Sequence, residues 1–168
     1  MIFTSLRRLF AVLILVCSQA LLAAGSGVES VEDFDRYVAT FNAADPDFVQ
    51  FYSEDVVFDK GPPDGQLIGR DQIANWYSEI WQDFDEAITP LAVAFDSSRG
   101  VLMVELRTQL TSRRDGVVWR DRTYDKGDRL IVDGVIIYTL ENGLITSLRG
   151  GSRTREFIPA SSTPVEGN

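Results

Sequence analysis

Apolar residues in the first part of the chain recur at helical spacing. Ser30, followed three residues later by Asp33, is a variant of the capping box, and the apolar residues after it predict a helix over residues 31–44. An Asp-Pro pair at residues 45–46 predicts the start of a short second helix. A third helix opens at Gly69 and carries the heaviest aromatic stripe of the chain. That stripe consists of Ile73, Trp76, Tyr77, Ile80, Trp81 and Phe84.

Further along, apolar and polar residues alternate, which is typical of strands. A first strand is predicted over residues 56–59, before a Gly-Pro-Pro-Asp-Gly loop at residues 61–65. Beyond Phe84 the alternation predicts strands over residues 87–96, 101–113 and 117–124. The last predicted element is a hairpin over residues 128–149, because Asn-Gly at its centre is a strong turn signal.

This order of elements predicts the fold class. Three helices followed by four or more strands indicate an α+β domain. We expect a cone-shaped, curved antiparallel sheet with the three N-terminal helices covering its concave face. The domain is predicted to occupy residues 28–158, and the polar tail over residues 159–168 is predicted to be disordered because it lacks a core-forming pattern.

The start of the chain has the three regions of a secretory signal peptide. Arg7 and Arg8 precede an apolar run over residues 9–16, and small residues follow. We therefore predict a leader over residues 1–25 and an exported protein, periplasmic or secreted, that has no membrane contact once the leader is cleaved. The alternative is a retained anchor, but the apolar stretch is shorter than the roughly 20 residues that span a bilayer.

Charge and composition exclude several classes of function. The formal net charge of −9 becomes about −11 when the leader and its two arginines are removed, so binding to nucleic acid is not expected. The chain contains no histidine, which excludes Ser-His-Asp catalysis and histidine-ligated zinc. Its single cysteine, Cys17, lies in the leader. We expect neither a metal nor a cofactor, and any chemistry must use Asp, Glu, Lys, Tyr or Arg.

Several segments together resemble a known superfamily. They are RYVATFNAAD at residues 36–45, FYSEDVVF at residues 51–58, GRDQI at residues 69–73, and the stretch from Lys126-Gly127-Asp128 to Gly143-Leu144-Ile145. In this order they are similar to the nuclear transport factor 2-like superfamily, which includes ketosteroid isomerases, SnoaL-like polyketide cyclases and scytalone dehydratases. The resemblance implies a cone-shaped fold with an interior cavity. It implies little about function, because this fold hosts enzymes, binding modules and adaptors.

The positions at which this superfamily carries catalytic groups are largely changed. Tyr37 matches the hydrogen-bonding tyrosine of the first helix in ketosteroid isomerases. Their general-base aspartate corresponds to Lys60, and their protonated aspartic acid corresponds to Ile136. The acid-base aspartate of the polyketide cyclases falls on Gly150. The resemblance therefore implies that three acidic groups have been lost.

Three residues remain as catalytic candidates, each with a structural alternative. Tyr37 is either a donor to a bound carbonyl or hydroxyl group or a core tyrosine. Lys60 is either a desolvated base or nucleophile or a lysine that extends through the mouth of the cone. Asp59 belongs on the opposite strand face, and it would turn inward only with a one-residue bulge before the loop.

Other charged residues favour structural roles. Glu105 and Arg107 lie two residues apart and are predicted on the outer sheet face as an ion pair, in solvent or at a dimer interface. The Arg120-Asp121-Arg122 segment is predicted to be a solvated charge cluster. Half-apolar residues on the same outer face suggest that it packs against a second copy of the chain.

The predicted cavity is lined by apolar residues with a few polar groups, which describes a small-molecule site. The predicted lining consists of Tyr37, Phe58, Lys60, Trp76, Val104, Leu106, Ile136, Tyr138 and Leu148. The first hypothesis is a module that binds a small hydrophobic or weakly polar molecule without the usual acid-base chemistry. The second is an isomerase, dehydratase or cyclase that uses Tyr37, Asp59 and Lys60. The third is a structural adaptor with a filled core.

Overall fold

The structure, a computed structural model, describes residues 27–162. The predicted leader and the end of the predicted tail lie outside the described residues, so export stays a prediction. The start of that tail is ordered, because residues Ala160–Ser162 form a short 3₁₀-helix and the Ala160 N–H donates to Asp128 Oδ1 at 2.9 Å. Within residues 27–162, no helix is long and apolar enough to cross a membrane.

The three N-terminal helices are two α-helices and one 3₁₀-helix. Helix α1 spans Val31–Asn42, and the Ser30 hydroxyl accepts a hydrogen bond from the Asp33 N–H at 3.1 Å, as the capping pattern predicts. The 3₁₀-helix spans Pro46–Phe51, and the predicted third helix is α2, Arg70–Asp83. Helix α2 ends before Phe84, which is the first residue of a strand.

Eight strands lie within residues 27–162. Strand β1 spans Tyr52–Asp59, four residues longer at its start than predicted, and β2 spans Gln66–Ile68. The later strands are β3 Phe84–Asp96, β4 Val101–Ser112, β5 Val117–Trp119, β6 Arg122–Tyr124, β7 Arg129–Glu141 and β8 Leu144–Ile158. The predicted hairpin is the β7–β8 pair, and Asn142 and Gly143 both take the positive φ that its tight turn requires.

Six strands form one curved sheet in the order β2-β1-β8-β7-β4-β3, and β5 and β6 form a separate ribbon. The α+β cone is confirmed, but the sheet is mixed rather than wholly antiparallel. Strands β1 and β8 pair in parallel. A parallel pair needs a long connection, and here α2 and the long strands β3, β4 and β7 lie between the two strands in the chain.

The inner face of β4 and β7 divides into two regions along the strands. In the closed half, defined by Leu102, Val104, Tyr138 and Leu140, side chains from α1 and the 3₁₀-helix fill the space above the sheet. In the open half, the same face surrounds a cavity. The open half consists of Leu106, Thr108, Leu110, Leu130, Val132, Gly134 and Ile136.

The outer face carries the charged residues of β4, as predicted, but their partners differ. Arg107 binds Asp133 on β7 through two hydrogen bonds of 2.8 and 2.9 Å, and Glu105 pairs with Arg153 on β8 at 2.8 Å. Glu105 and Arg107 therefore bind neighbouring strands and not each other. Met103 is 46% exposed on this face, and a homodimer through it stays a prediction.

Candidate functional site

A cavity of about 620 Å³ opens between the inner sheet face, helix α2 and the loop that follows β1. Its volume lies within the range of small-molecule pockets. The walls combine apolar side chains with a few polar and charged ones. The lining residues include Phe58, Asp59, Lys60, Asp64, Trp76, Glu86, Leu106, Arg120, Val132, Ile136 and Arg155.

The predicted lining is divided between this cavity and the closed half. The predicted residues that line the cavity are Phe58, Lys60, Trp76, Leu106 and Ile136. The predicted residues that lie in the packed core instead, outside the lining, are Tyr37, Val104, Tyr138 and Leu148. The strand faces were correctly predicted, but the alternation of a strand does not indicate how far along it the covering helices reach.

Tyr37 is a core residue with a side-chain partner. Its hydroxyl lies 2.7 Å from the hydroxyl of Tyr52, and its ring contacts Phe34 and Tyr138. Burial raises the pKa of Tyr37 well above its ordinary value, and the neighbouring Tyr52 adds to this rise. The structure thus separates Tyr37 from Asp59 and Lys60, which both line the cavity.

Asp59 and Lys60 lie where β1 ends. Asp59 Oδ1 accepts a hydrogen bond of 2.9 Å from the Gly61 N–H, and Oδ2 accepts one of 3.3 Å from the Gln66 side-chain amide. The irregularity in the pairing of β1 with β8 lies between Tyr52 and Val57, not at the predicted position before the loop. Asp59 is opposite Arg149 on β8, and as the last residue of its strand it is nonetheless part of the cavity lining. The Lys60 ammonium lies 4.9 Å from the ring centroid of Trp76.

Glu86, a carboxyl group in the cavity wall, was not predicted from the sequence. Glu86 is on β3 opposite Leu110, and it shares the inner face with Phe84 and Ile88. Its Oε2 atom is closed off from solvent and has no hydrogen-bond partner within the described residues. The alternation of Phe84, Glu86 and Ile88 could have indicated that Glu86 lies on the inner strand face. It was not read as a strand because the third helix was expected to include Phe84.

The surroundings of Glu86 favour its neutral form. Burial raises its pKa from the ordinary 4.5 to about 8, and the indole N–H of Trp81 counteracts only part of this rise. That N–H is close to the carboxyl group but not in hydrogen-bonding geometry, since Trp81 Nε1 also lacks a partner in the described part of the chain. At neutral pH the carboxyl group is therefore mostly protonated and can donate a hydrogen bond.

Ile136 and Gly150, where the resemblance implies lost acids, both line the cavity. They are cross-strand partners on β7 and β8. A Cβ atom on Gly150 would lie 2.0 Å from the Val135 carbonyl oxygen, so no side chain fits there without a shift of the backbone. An acid at this position is thus incompatible with the local strand pairing.

Arg120 was predicted to be solvated, yet it lines the cavity. It forms an ion pair of 2.6 Å with Asp64, which connects the β5–β6 ribbon to the loop after β1. Its neighbour Arg122 lies over the ring of Phe157 at 4.1 Å. Across residues 27–162, no group of three or more acidic, histidine or cysteine side chains could hold a metal ion.

Residues 34–148 match the family of SnoaL-like domains. The chain belongs to this family. No curated protein sequence matches the chain.

Solved structures share the fold of this SnoaL-like domain at low sequence identity. The Δ5-3-ketosteroid isomerase from Mycobacterium sp. is 19% identical, with a TM-score of 0.61 over 78% of this chain and 99% of that one. A computationally designed 17-OHP binder is also 19% identical, with a TM-score of 0.60 over 78% of this chain and 97% of that one. The epoxide hydrolase/cyclase-like enzyme SalBIII, which acts in pyran ring formation in salinomycin, is 18% identical, with a TM-score of 0.58 over 73% and 88%.

Proposed function

We propose that this SnoaL-like domain binds a small, largely apolar molecule in its cavity and catalyses a proton transfer on it, as an isomerase or a cyclase does. The observation that carries this proposal is Glu86, a carboxyl group in an apolar wall whose Oε2 atom has no partner in the described structure. A carboxylic acid that stays neutral at pH 7 can donate a hydrogen bond to a carbonyl oxygen.

The proposed chemistry divides the work between two carboxyl groups. Glu86 donates a hydrogen bond to the carbonyl oxygen of the ligand and stabilises the enolate as negative charge develops there. Asp59, a residue of the same cavity lining at the end of β1, is the proposed acceptor of the proton from the adjacent carbon atom. Its two oxygens each hold one hydrogen-bond donor, so each retains acceptor capacity.

This assignment replaces the apparatus expected from the sequence. Tyr37 has no part in it, because its hydroxyl group is paired with Tyr52 outside the lining. Related folds include an isomerase, a cyclase-like enzyme and a steroid binder by name, which is consistent with either binding or acid-base chemistry.

Binding without chemistry is the second candidate. It is favoured by Lys60, Ile136 and Gly150, which occupy the positions where the resemblance implies acids. The adaptor hypothesis required a filled core, and it disagrees with the open cavity of about 620 Å³.

The proposal is tested by hydrogen exchange on enolisable ketones. A Δ5-3-ketosteroid and several smaller cyclic ketones are incubated with the protein in D₂O, and deuterium incorporation next to the carbonyl is measured by mass spectrometry. We expect exchange with at least one ketone, which falls about 100-fold in Glu86→Leu because one preorganised donor is lost. The rate should also fall above about pH 8, where Glu86 ionises.

Glu105→Leu is the matched control, because Glu105 is a glutamate on the outer sheet face that pairs with Arg153. It should leave the exchange rate unchanged. Exchange that is equal in the wild type and Glu86→Leu would overturn the catalytic role of Glu86. Tight binding of a ketone without any exchange would favour the second candidate.

A further inference from the structure

The charge of the cavity differs from that of the whole protein. The chain has a formal net charge of −9. The cations in the cavity lining are Lys60, Arg120 and Arg155, and its anions are Asp59 and Asp64. Since Glu86 is mostly protonated at neutral pH, the lining has an excess of positive charge within an acidic protein.

One of the two anions in the lining is paired with one of its cations. Asp64 forms the 2.6 Å ion pair with Arg120. Lys60 and Arg155, by contrast, form no ion pair with any of residues 27–162. These two cations are therefore available to a ligand.

The strand register places Arg155 on the inner face of the sheet. Arg155 is opposite Val132 on β7, which is opposite Thr108 on β4, and all three line the cavity. Glu86 lies on β3, with β4 and β7 between it and β8. The same inner face thus carries a neutral hydrogen-bond donor on β3 and a guanidinium group on β8.

Lys60 is a second fixed cation at the edge of the same cavity. Its ammonium group lies 4.9 Å from the centroid of Trp76, which also lines the cavity. Lys60 is half-buried beside this apolar ring, and the lower local dielectric strengthens its attraction for a negative group.

We propose that the natural ligand of this cavity is an organic anion: an apolar body with one acidic group, such as a carboxylate, that binds Arg155 and Lys60. This inference rests on the proposed function, and it adds the chemical class of the ligand. A guanidinium group can bind a carboxylate through two parallel hydrogen bonds, which fixes the orientation of the acidic group.

The test uses two dyes that share one ring system. Anilinonaphthalene sulfonate is an anion, whereas N-phenylnaphthylamine is its neutral counterpart, and the fluorescence of both rises in apolar surroundings. We expect the anionic dye to bind about tenfold more tightly at low ionic strength, despite the net negative charge of the protein. Added NaCl should reduce this preference, because salt screens the attraction.

Variants identify the cations responsible. Arg155→Gln and Lys60→Gln should each weaken binding of the anionic dye by about fivefold to tenfold and leave the neutral dye unaffected. Arg149→Gln is the matched control, since Arg149 lies on the same strand but opposite Ile137 on the outer face. It should change neither affinity. Unchanged affinity for the neutral dye also shows that each variant keeps its cavity.

The outcomes distinguish this inference from the proposed function. Equal binding of the two dyes, or no effect of Arg155→Gln and Lys60→Gln on the anionic dye, would overturn the anionic ligand and leave the cavity and Glu86 in place. Absence of binding by both dyes would contradict the cavity on which both proposals depend.

Discussion

The closed and open halves lie on the same strands, but the closed half is packed core and the open half lines a cavity. Leu102 and Tyr138 in the closed half are almost inaccessible to solvent, and rings from α1 and the 3₁₀-helix pack over them. A few residues along the same strands, Leu106 and Ile136 face the cavity instead. Because both halves alternate identically, the covering elements and not the strand pattern decide where this cone is filled.

The hydrogen bonding of buried polar groups also differs between the packed core and the cavity wall. In the closed half, the hydroxyls of Tyr37 and Tyr52 satisfy each other at 2.7 Å. In the cavity wall, Glu86 Oε2 is left without a hydrogen-bond partner among the described residues. A buried carboxyl group that is left unsatisfied beside a cavity has the features of a site that awaits a ligand.

The largest expected effect concerns the free energy of unfolding, which should depend on pH through Glu86. Between pH 4.5 and about 8, the folded carboxyl group of Glu86 keeps a proton that the unfolded chain has released, so the free energy of unfolding falls as the pH rises. Glu86→Gln has no such titration. Relative to this variant, the wild type should lose up to about 5 kcal/mol across that window, at about 1.36 kcal/mol for each pH unit.

Urea unfolding at several pH values measures this difference. Below pH 4.5 and above about pH 8 the difference between the two proteins should be constant. Glu105→Gln, on the outer face, should follow the wild type through the window. If wild type and Glu86→Gln give parallel curves from pH 4 to pH 9, Glu86 is solvated and the two halves do not differ in this way.

A smaller effect is expected for the stability cost of truncating two leucines, one in each half, that lie on the same face of β4. Leu102 is fully buried in the closed half, and Leu106, four residues further along β4, is 6% exposed and lines the cavity. Leu102→Ala should cost about 4 kcal/mol, because it leaves a new enclosed void. Leu106→Ala should cost about 2 kcal/mol, because it only enlarges a space that is already open.

Denaturant unfolding of both leucine variants, with equal slopes against denaturant concentration, provides the measurement. The Leu106→Ala variant should retain dye binding in the cavity. Equal costs for the two substitutions would mean that the cavity is collapsed in solution.

Much of the fold could be predicted from local signals. The Ser30–Asp33 cap, the Asn142-Gly143 turn and the two-residue alternation of β4 and β7 are short-range patterns, and each element formed where its pattern indicated. The parallel pairing of β1 with β8 could not be predicted from them. It depends on two segments separated by almost the whole domain, and no local pattern encodes which edge β8 joins.

The candidate site was predictable only in part for a related reason. Phe58, Trp76 and Ile136 line the cavity, and the residue alternation or helical spacing indicates the face on which they lie. Glu86 was missed because the boundary between α2 and β3 lies three residues before the predicted strand, and the ends of elements are their least predictable part. Arg155 was missed because β8 continues well past the predicted end of the hairpin.

The protonation state of Glu86 tests the central claim most directly. Carbon-13 NMR of the glutamate side-chain carboxyls is recorded as a function of pH, and the resonance of Glu86 is assigned by its absence from Glu86→Gln. We predict a titration midpoint at about pH 8, which would mean that the open half holds a neutral carboxylic acid under physiological conditions. A midpoint near 4.5 would contradict the account, because Glu86 would then be an ordinary carboxylate and could not donate a hydrogen bond to a ligand.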